Sequence, residues 1–118
     1  MVTASDFART LDSNGAGTDH AWGGNYVLLG GGVSGGTIHG QYPTSFLSTN
    51  EVTVLRNRLM PTTSWEAVWH GIAQWLDVPA AQMGYVLPNA ANFPTTQLLR
   101  REDLFTTLPT GGGGAATS

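Results

Sequence analysis

The sequence predicts a mixed α/β unit made of short strands and one main amphipathic helix. Residues 26–29 (YVLL) form a short continuous apolar run, which is typical of a strand covered on both faces. The seven residues from 30 to 36 include five glycines, which indicates a tight turn between strands. A stripe of apolar residues at helical spacing follows later in the chain: Trp65, Val68, Trp69, Ile72 and Leu76.

Shorter strands are predicted on either side of these elements. Residues 1–4 (MVTA) have the character of the last residues of an apolar strand that starts upstream. Residues 11–24 are predicted to be a loop, because DSNG at residues 12–15 is strong turn chemistry. Residues 37–40 are predicted to form a second short strand after the glycine turn, and residues 51–55 alternate as a further strand would.

The main helix is predicted over residues 64–77. Thr63 and Glu66 have the spacing of a capping box, in which each side chain satisfies an amide of the first turn. The helix is expected to end near Val78, because Pro79 disfavours helical geometry in the residue before it, and Pro79 then starts a second short helix that reaches Val86. The apolar stripe is expected to pack on the sheet, with His70 and Gln74 on the opposite side.

Composition narrows the classes of function. The chain has 118 residues, which suits one small domain or the tail of a larger one, and 41% of them are hydrophobic, as in a packed protein. Only 11% are charged and the net charge is −3, so nothing draws the chain to nucleic acid or to an anionic membrane. The absence of cysteine excludes disulfides and thiolate chemistry, and no apolar run has the ~20 residues that span a bilayer.

Two glycine motifs match patterns but lack their context. Residues 30–35 (GGGVSG) fit the dinucleotide fingerprint and residues 32–36 (GVSGG) fit the nucleophile elbow. Both functions require a helix directly after the motif, whereas GTIHG follows at residues 36–40. We therefore interpret these glycines as a hairpin turn.

The side chains that could carry chemistry lie near the N-terminus. Asp6 follows a predicted strand end, where α/β sheets place ligand sites, and Asp19 and His20 precede the next strand. Carboxylate oxygens with an imidazole nitrogen suit zinc, magnesium, manganese or calcium. The alternatives are structural: a turn or helix cap at Asp6, an Asx turn at Asp19 and a surface histidine. Arg9 could clamp an anionic group or pair with Asp12.

The same region resembles a known family. TASDFART at residues 3–10 and GTDHAWGGN at residues 17–25 are similar to the signature of the domain of unknown function 1501 family. The resemblance continues through VLLGGGV at residues 27–33 and GGTIHG at residues 35–40. It resumes at PTTS (61–64), VLPN (86–89) and NF (92–93), with a variable stretch over residues 43–58. It thus extends over nearly all of residues 2–105.

The resemblance implies a fold, a chemistry and ligands. The family resembles the alkaline phosphatase and sulfatase superfamily of α/β/α sandwiches, which hydrolyse phosphate or sulfate esters at one or two divalent metal ions. By that likeness Asp6 and His20 correspond to metal ligands. Asp19 has no clear counterpart among the superfamily's ligands and is expected only to orient His20, and in the hydrolase hypothesis Arg9 steers the anion. Phe7 stands where phosphatases place a second ligand and cannot coordinate a metal. The nucleophile and first ligands of the superfamily belong to an N-terminal half that has no counterpart in this chain.

We therefore expect a C-terminal fragment of such a hydrolase-like protein, inactive alone. Residues 1–105 are predicted to be the C-terminal portion of the domain, and residues 106–118 a flexible glycine-rich tail. The expected partners are the N-terminal half of the same domain and, in the parent, an anionic ester and a divalent ion (zinc, calcium or magnesium). The alternative is a non-catalytic relative that binds glycans or protein. The resemblance is also compatible with an exported parent.

Overall fold

The computed structural model describes residues 1–47 and 52–106, which form two compact units. Of these residues, the first unit comprises 1–29, 36–47 and 52–65, and the second comprises 30–35 and 66–106. The described residues contain two small two-stranded sheets and three α-helices, which confirms the mixed α/β class. No helix in this part of the chain has the length and apolar character needed to cross a membrane. The glycine-rich tail predicted at the C-terminus lies outside the described residues from position 107 onward.

The first unit is organised around the antiparallel strands β1 (Ala8–Ser13) and β2 (Thr18–Ala21). Their Cα partners are Ala8 with Ala21, Arg9 with His20 and Ser13 with Thr18, with a register shift between the last two pairs. The Asn14 amide donates to the Gly17 carbonyl at 2.8 Å and closes the turn between the strands. The prediction of a loop over residues 11–24 was therefore correct for the turn and wrong for the strands that flank it.

The two apolar runs of the first unit pair with each other over a short distance. Residues 1–3 and 27–29 are antiparallel: the Leu29 amide donates to the Met1 carbonyl at 2.8 Å and the Thr3 amide to the Val27 carbonyl at 2.9 Å. The pairing amounts to an isolated bridge between Val2 and Leu28 and does not extend into regular strands. The prediction that residues 37–40 form a strand was wrong, because they pair with no strand in the described part of the chain.

A second hairpin, β3 (Thr53–Val54) and β4 (Arg58–Leu59), contacts β1. It confirms part of the strand predicted over residues 51–55, whose first residue lies outside the described ranges. Its loop places Arg56 and Asn57 in the left-handed region, with φ of 62° and 53°. Asn57 is buried and binds β1 twice: its carbonyl accepts from the Leu11 amide at 3.1 Å and its Nδ2 donates to Asp12 Oδ2 at 2.8 Å.

The helices follow the sequence prediction closely in their bounds. Helix α1 (Trp65–Trp75) lies inside the predicted range of 64–77, and α2 (Ala80–Val86) begins directly after Pro79 as predicted. A short helix, α3 (Arg101–Leu104), comes after two single 3₁₀ turns. Helix α1 ends in a Schellman arrangement, in which Asp77 is left-handed (φ 57°) and the amides of Asp77 and Val78 donate to Gln74 and Ala73.

The face on which α1 packs in the second unit differs from the predicted stripe. The buried positions are the small residues Ala67, Gly71 and Ala73, whereas Leu76 is 69% exposed. The side expected to be polar instead contacts the chain before and within α3. His70 Nδ1 lies 2.8 Å from the Leu99 carbonyl oxygen, and Gln74 Oε1 accepts from the Arg101 amide at 2.9 Å. The spacing of hydrophobic residues predicted the wrong packing face of α1, because the close approach of this helix to the chain before and within α3 requires small side chains.

The glycine turn of the second unit packs on the end of α1. The Val33 amide donates to the Gly30 carbonyl, and Val33 forms an isolated bridge with Phe105. A β-carbon on Gly32 would lie 3.1 Å from the Trp75 indole, which itself stacks on Phe105 at a centroid distance of 4.4 Å. The turn therefore pairs with the C-terminal segment and not with a following strand. Residues 35–47 form no helix, the element that both rejected glycine motifs require.

Candidate functional site

The predicted site residues lie at one end of the β1–β2 pair. Asp6 occupies a bend two residues before β1 begins, and His20 is the penultimate residue of β2. The start of β1 and the end of β2 meet, because the strands are antiparallel and Ala8 pairs with Ala21. The register thus brings Asp6, Arg9 and His20 to the same end of the hairpin.

Phe7, Arg9 and His20 form a contact cluster. Arg9 and His20 are direct cross-strand partners. The rings of Phe7 and His20 meet edge to face at 4.9 Å, and the Arg9 guanidinium lies 5.1 Å from the centroid of the Phe7 ring. Such a cation–π contact, together with a hydrogen bond from Arg9 Nη1 to the Thr18 carbonyl at 2.7 Å, holds the guanidinium in place. Phe7, which breaks the metal-ligand pattern, is therefore the packing partner of both polar side chains.

Arg9 does not pair with Asp12, which was one of its two predicted roles. Asp12 instead accepts a hydrogen bond from Asn57 Nδ2 of the second hairpin. The Arg9 side chain makes no ion pair with any carboxylate that the structure describes. The remaining N–H groups of its guanidinium are thus available to an anion.

Asp19 is engaged on another side of β2. Its Oδ1 accepts from Asn14 Nδ2 at 2.6 Å and its Oδ2 pairs with Arg56 Nη1 at 2.8 Å. The hydrogen bond from Asn14, followed by that from Arg56, lowers the pKa of the Asp19 carboxyl. Adjacent residues in a strand point to opposite faces, so the Asp19 carboxylate points away from the face that carries the His20 ring. It stabilises the β1–β2 turn through Asn14 and the second hairpin through Arg56. No hydrogen bond in the described chain connects it to the His20 ring.

Asp6 is exposed and has no hydrogen-bond partner among residues 1–47 and 52–106. The turn around it is made by Ser5, whose hydroxyl accepts from the Phe7 amide at 3.0 Å, so the alternative role of Asp6 as the cap is not needed. Three positions separate Asp6 from Arg9, the cross-strand partner of His20, which corresponds to roughly 10 Å of extended chain. The aspartate side chain is short, and no ion pair joins Asp6 to His20 in the described structure.

The donor set partly fits a divalent cation. A carboxylate and an imidazole are suitable ligands, and no hydrogen bond within the described residues occupies the carboxylate of Asp6 or the ring nitrogens of His20. However, no group of three or more His, Asp or Glu side chains able to hold a metal occurs in that part of the chain. Asp6 and His20 would therefore bind an ion only together with ligands from elsewhere.

The role of one arginine near the site was not predicted from the sequence. Arg58 of β4 donates from Nε to the His20 carbonyl at 2.9 Å and from Nη1 to the Leu55 carbonyl at 2.8 Å. It lies in the stretch over residues 43–58, which is expected to vary within the family. The link between β4 and β2 depends on a turn with two consecutive left-handed residues, which no local sequence signal announced.

The fold and the site define a small mixed α/β chain with a polar cluster at the end of a β-hairpin. Residues 1–63 match the family described as "Protein of unknown function (DUF1501)", and because the match includes more than half of the chain, the protein belongs to this family. No curated protein and no solved structure gives a match. The family resemblance suggested for residues 64–105 stays a prediction.

Proposed function

We propose that this chain is the C-terminal portion of a metal-dependent phosphate- or sulfate-ester hydrolase-like protein and is inactive alone. In this proposal Asp6 and His20 supply one edge of a divalent metal site, and Arg9 steers the anionic ester. The bound ion would polarise an ester oxygen and activate a hydroxyl nucleophile supplied by another part of the parent. The likeness of the family to the phosphatase and sulfatase superfamily belongs to this proposal.

The observation that carries the proposal is the register of the β1–β2 pair. Fourteen positions separate Asp6 from His20 in sequence, yet the antiparallel pairing of Ala8 with Ala21 brings them to the same end of one hairpin. The potential donor atoms of both side chains are unpartnered in the described chain, whereas the carboxylate of the nearby Asp19 is occupied. This pattern supports the proposal that the two side chains receive a cation.

Exposed apolar surface supports the proposal that residues 1–105 belong to a larger domain. No large side chain among the described residues is completely buried. Met1 is 78% exposed, and Val27 and Leu29, which pair with the N-terminal segment, are about half exposed. Apolar residues at paired strand segments are normally covered by another layer of the domain. We propose that the N-terminal half of the parent supplies this layer and the missing metal ligands.

Metal analysis of the full-length parent tests the proposal. We expect the purified parent to contain zinc, calcium or magnesium and to hydrolyse a phosphate or sulfate monoester. His20→Ala should remove bound metal and activity, because it deletes one ligand. The matched control is His39→Ala, which changes a histidine of the same unit with no assigned role and should preserve both. Retention of the metal by His20→Ala, with the protein folded, would contradict the proposed ligand.

The alternative is a non-catalytic relative that binds glycans or protein. Phe7, at a position where a second ligand is expected, favours it, and the exposed rings of Phe7, Trp22 and Tyr42 offer contact surface. This alternative predicts a parent without stoichiometric metal and without esterase activity. It also predicts that binding to a glycan array or a partner protein is weakened by Trp22→Ala and not by His20→Ala.

A further inference from the structure

Two arginines lie beside the strand β2 and differ from the other three in their partners. All five cationic side chains of the protein are arginines. Arg56, Arg100 and Arg101 each pair with a carboxylate within 4.0 Å. Arg9 and Arg58 make no ion pair with the carboxylates that the structure describes, and their guanidinium groups donate hydrogen bonds to main-chain carbonyl oxygens. Neither guanidinium is in direct contact with a carboxylate, and the charge of Arg58 lies close enough to Asp19 to help lower the pKa of that carboxyl.

The carbonyl groups that hold these two arginines lie on one edge of β2. The Asp19 amide donates to Thr10 Oγ1 of β1 at 3.0 Å, so the main-chain groups of Asp19 face β1. Successive residues of a strand direct their main-chain groups to alternate edges, and those of Thr18 and His20 therefore face away from β1. Arg9 binds the Thr18 carbonyl and Arg58 the His20 carbonyl. The two carbonyl groups that anchor the guanidinium groups thus lie on the same outer edge, two residues and roughly 7 Å apart along the strand.

This spacing suits a tetrahedral oxyanion. Each guanidinium has five N–H donors in a planar fork, and carbonyl groups occupy one donor of Arg9 and two of Arg58. The remaining donors can bind two oxygens of one phosphate or sulfate group that lies between the arginines. The Phe7 ring and the carbonyl bonds restrict the side chains in advance, so little conformational entropy is lost on binding.

We propose that Arg9 and Arg58 form a two-arginine site for a tetrahedral dianion: a phosphate or sulfate group, either free or at the end of an ester. The site needs neither metal nor catalysis, so it does not depend on the hydrolase-like proposal. The nearby carboxylates divide in their effect. Asp19 is neutralised by Arg56, whereas the exposed Asp6 opposes anion binding unless a cation compensates its charge.

The test is an NMR titration of the full chain with inorganic phosphate, inorganic sulfate and phenyl phosphate, in EDTA and at constant ionic strength. We expect saturable shifts of the arginine Nε–H and β2 amide signals with either inorganic anion. Arg58→Gln and Arg9→Gln should each weaken binding by about tenfold or more, because a charged bidentate partner is lost. Arg101→Gln is the matched control and should bind as the unchanged protein does. Tighter binding of phenyl phosphate would identify an ester group as the ligand, and equal binding a free ion.

A second variant protects the test against misfolding. Arg9→Lys keeps the charge but replaces the planar fork with a single ammonium group, so it should fold and still bind more weakly than the unchanged protein. The absence of saturable shifts in the unchanged protein, or equal losses in Arg101→Gln and Arg58→Gln, would overturn the site. His20→Ala distinguishes the two proposals: it should abolish metal binding in the parent and preserve phosphate binding in EDTA.

Discussion

Two glycine-to-alanine changes in helices should shift stability in opposite directions. Gly71 is a buried residue of α1, and a β-carbon built on it lies 2.7 Å from Leu104 Cδ1 and 3.0 Å from the Arg100 carbonyl oxygen. Leu104 is itself buried, and the Arg100 carbonyl accepts the first hydrogen bond of α3, so neither neighbour moves easily. Gly84 in α2 has no atom within 4 Å of its built β-carbon.

The magnitudes follow from two opposing effects. Alanine improves helix propensity by about 1 kcal/mol at either position. Overpacking at Gly71 costs about 1–3 kcal/mol, so Gly71→Ala should lower the free energy of unfolding by about 1 kcal/mol net. Gly84→Ala meets no such cost and should raise it by about 0.5–1 kcal/mol. A change of 1 kcal/mol corresponds to a shift of about 4–8 °C in Tm for a domain of this size.

Urea unfolding followed by circular dichroism at 222 nm measures both changes on the full chain. Gly71→Ala should have a lower midpoint than the unchanged protein, and Gly84→Ala a higher one, with similar m-values. If Gly71→Ala were as stabilising as Gly84→Ala, the close approach of α1 to the residues of α3 would be refuted.

Three further changes test other parts of the fold by the same unfolding measurement. Asp77→Gly should stabilise the protein by about 1 kcal/mol, because glycine adopts the left-handed conformation without strain, and Asp77→Ala should show no such gain. The hydrogen bond from Asn14 keeps the pKa of Asp19 below its ordinary value of 3.8. Its contribution is therefore present above that value and is lost as the pH falls through the folded-state pKa, and Asp19→Asn should flatten the decline in stability below about pH 4. Phe105→Ala removes a ring stacked on Trp75 and should cost about 3–4 kcal/mol; a loss below 1 kcal/mol would contradict this packing.

The main helices could be predicted from the sequence because their signals are local. The spacing of apolar residues over 65–76 and the position of Pro79 fixed the two helices to within about two residues, inside the usual uncertainty of boundaries. The packing face of α1 could not be predicted in the same way. Gly71 is buried because α3 approaches it closely, and that approach depends on residues about thirty positions further along the chain.

The strands of the candidate site were missed because they are polar. In β1 only Thr10 is buried, and in β2 only Ala21, so neither strand shows apolar alternation. Asn14-Gly15 between them is a local hairpin signal from which the pair could be predicted. The positions of Asp6 and His20 at one end of that pair follow from its register. The role of Arg58 could not be predicted from that register, because it depends on contacts between two separate hairpins.

The arginines that bind the carbonyl groups of Thr18 and His20 also affect what can join β2. An unpaired strand edge is a template on which another chain can add, and natural proteins often block such edges with charged side chains. An incoming strand would have to displace both guanidinium groups before it could donate to these carbonyl oxygens. We therefore expect self-assembly of the protein through β2 to become measurable only when both arginines are replaced.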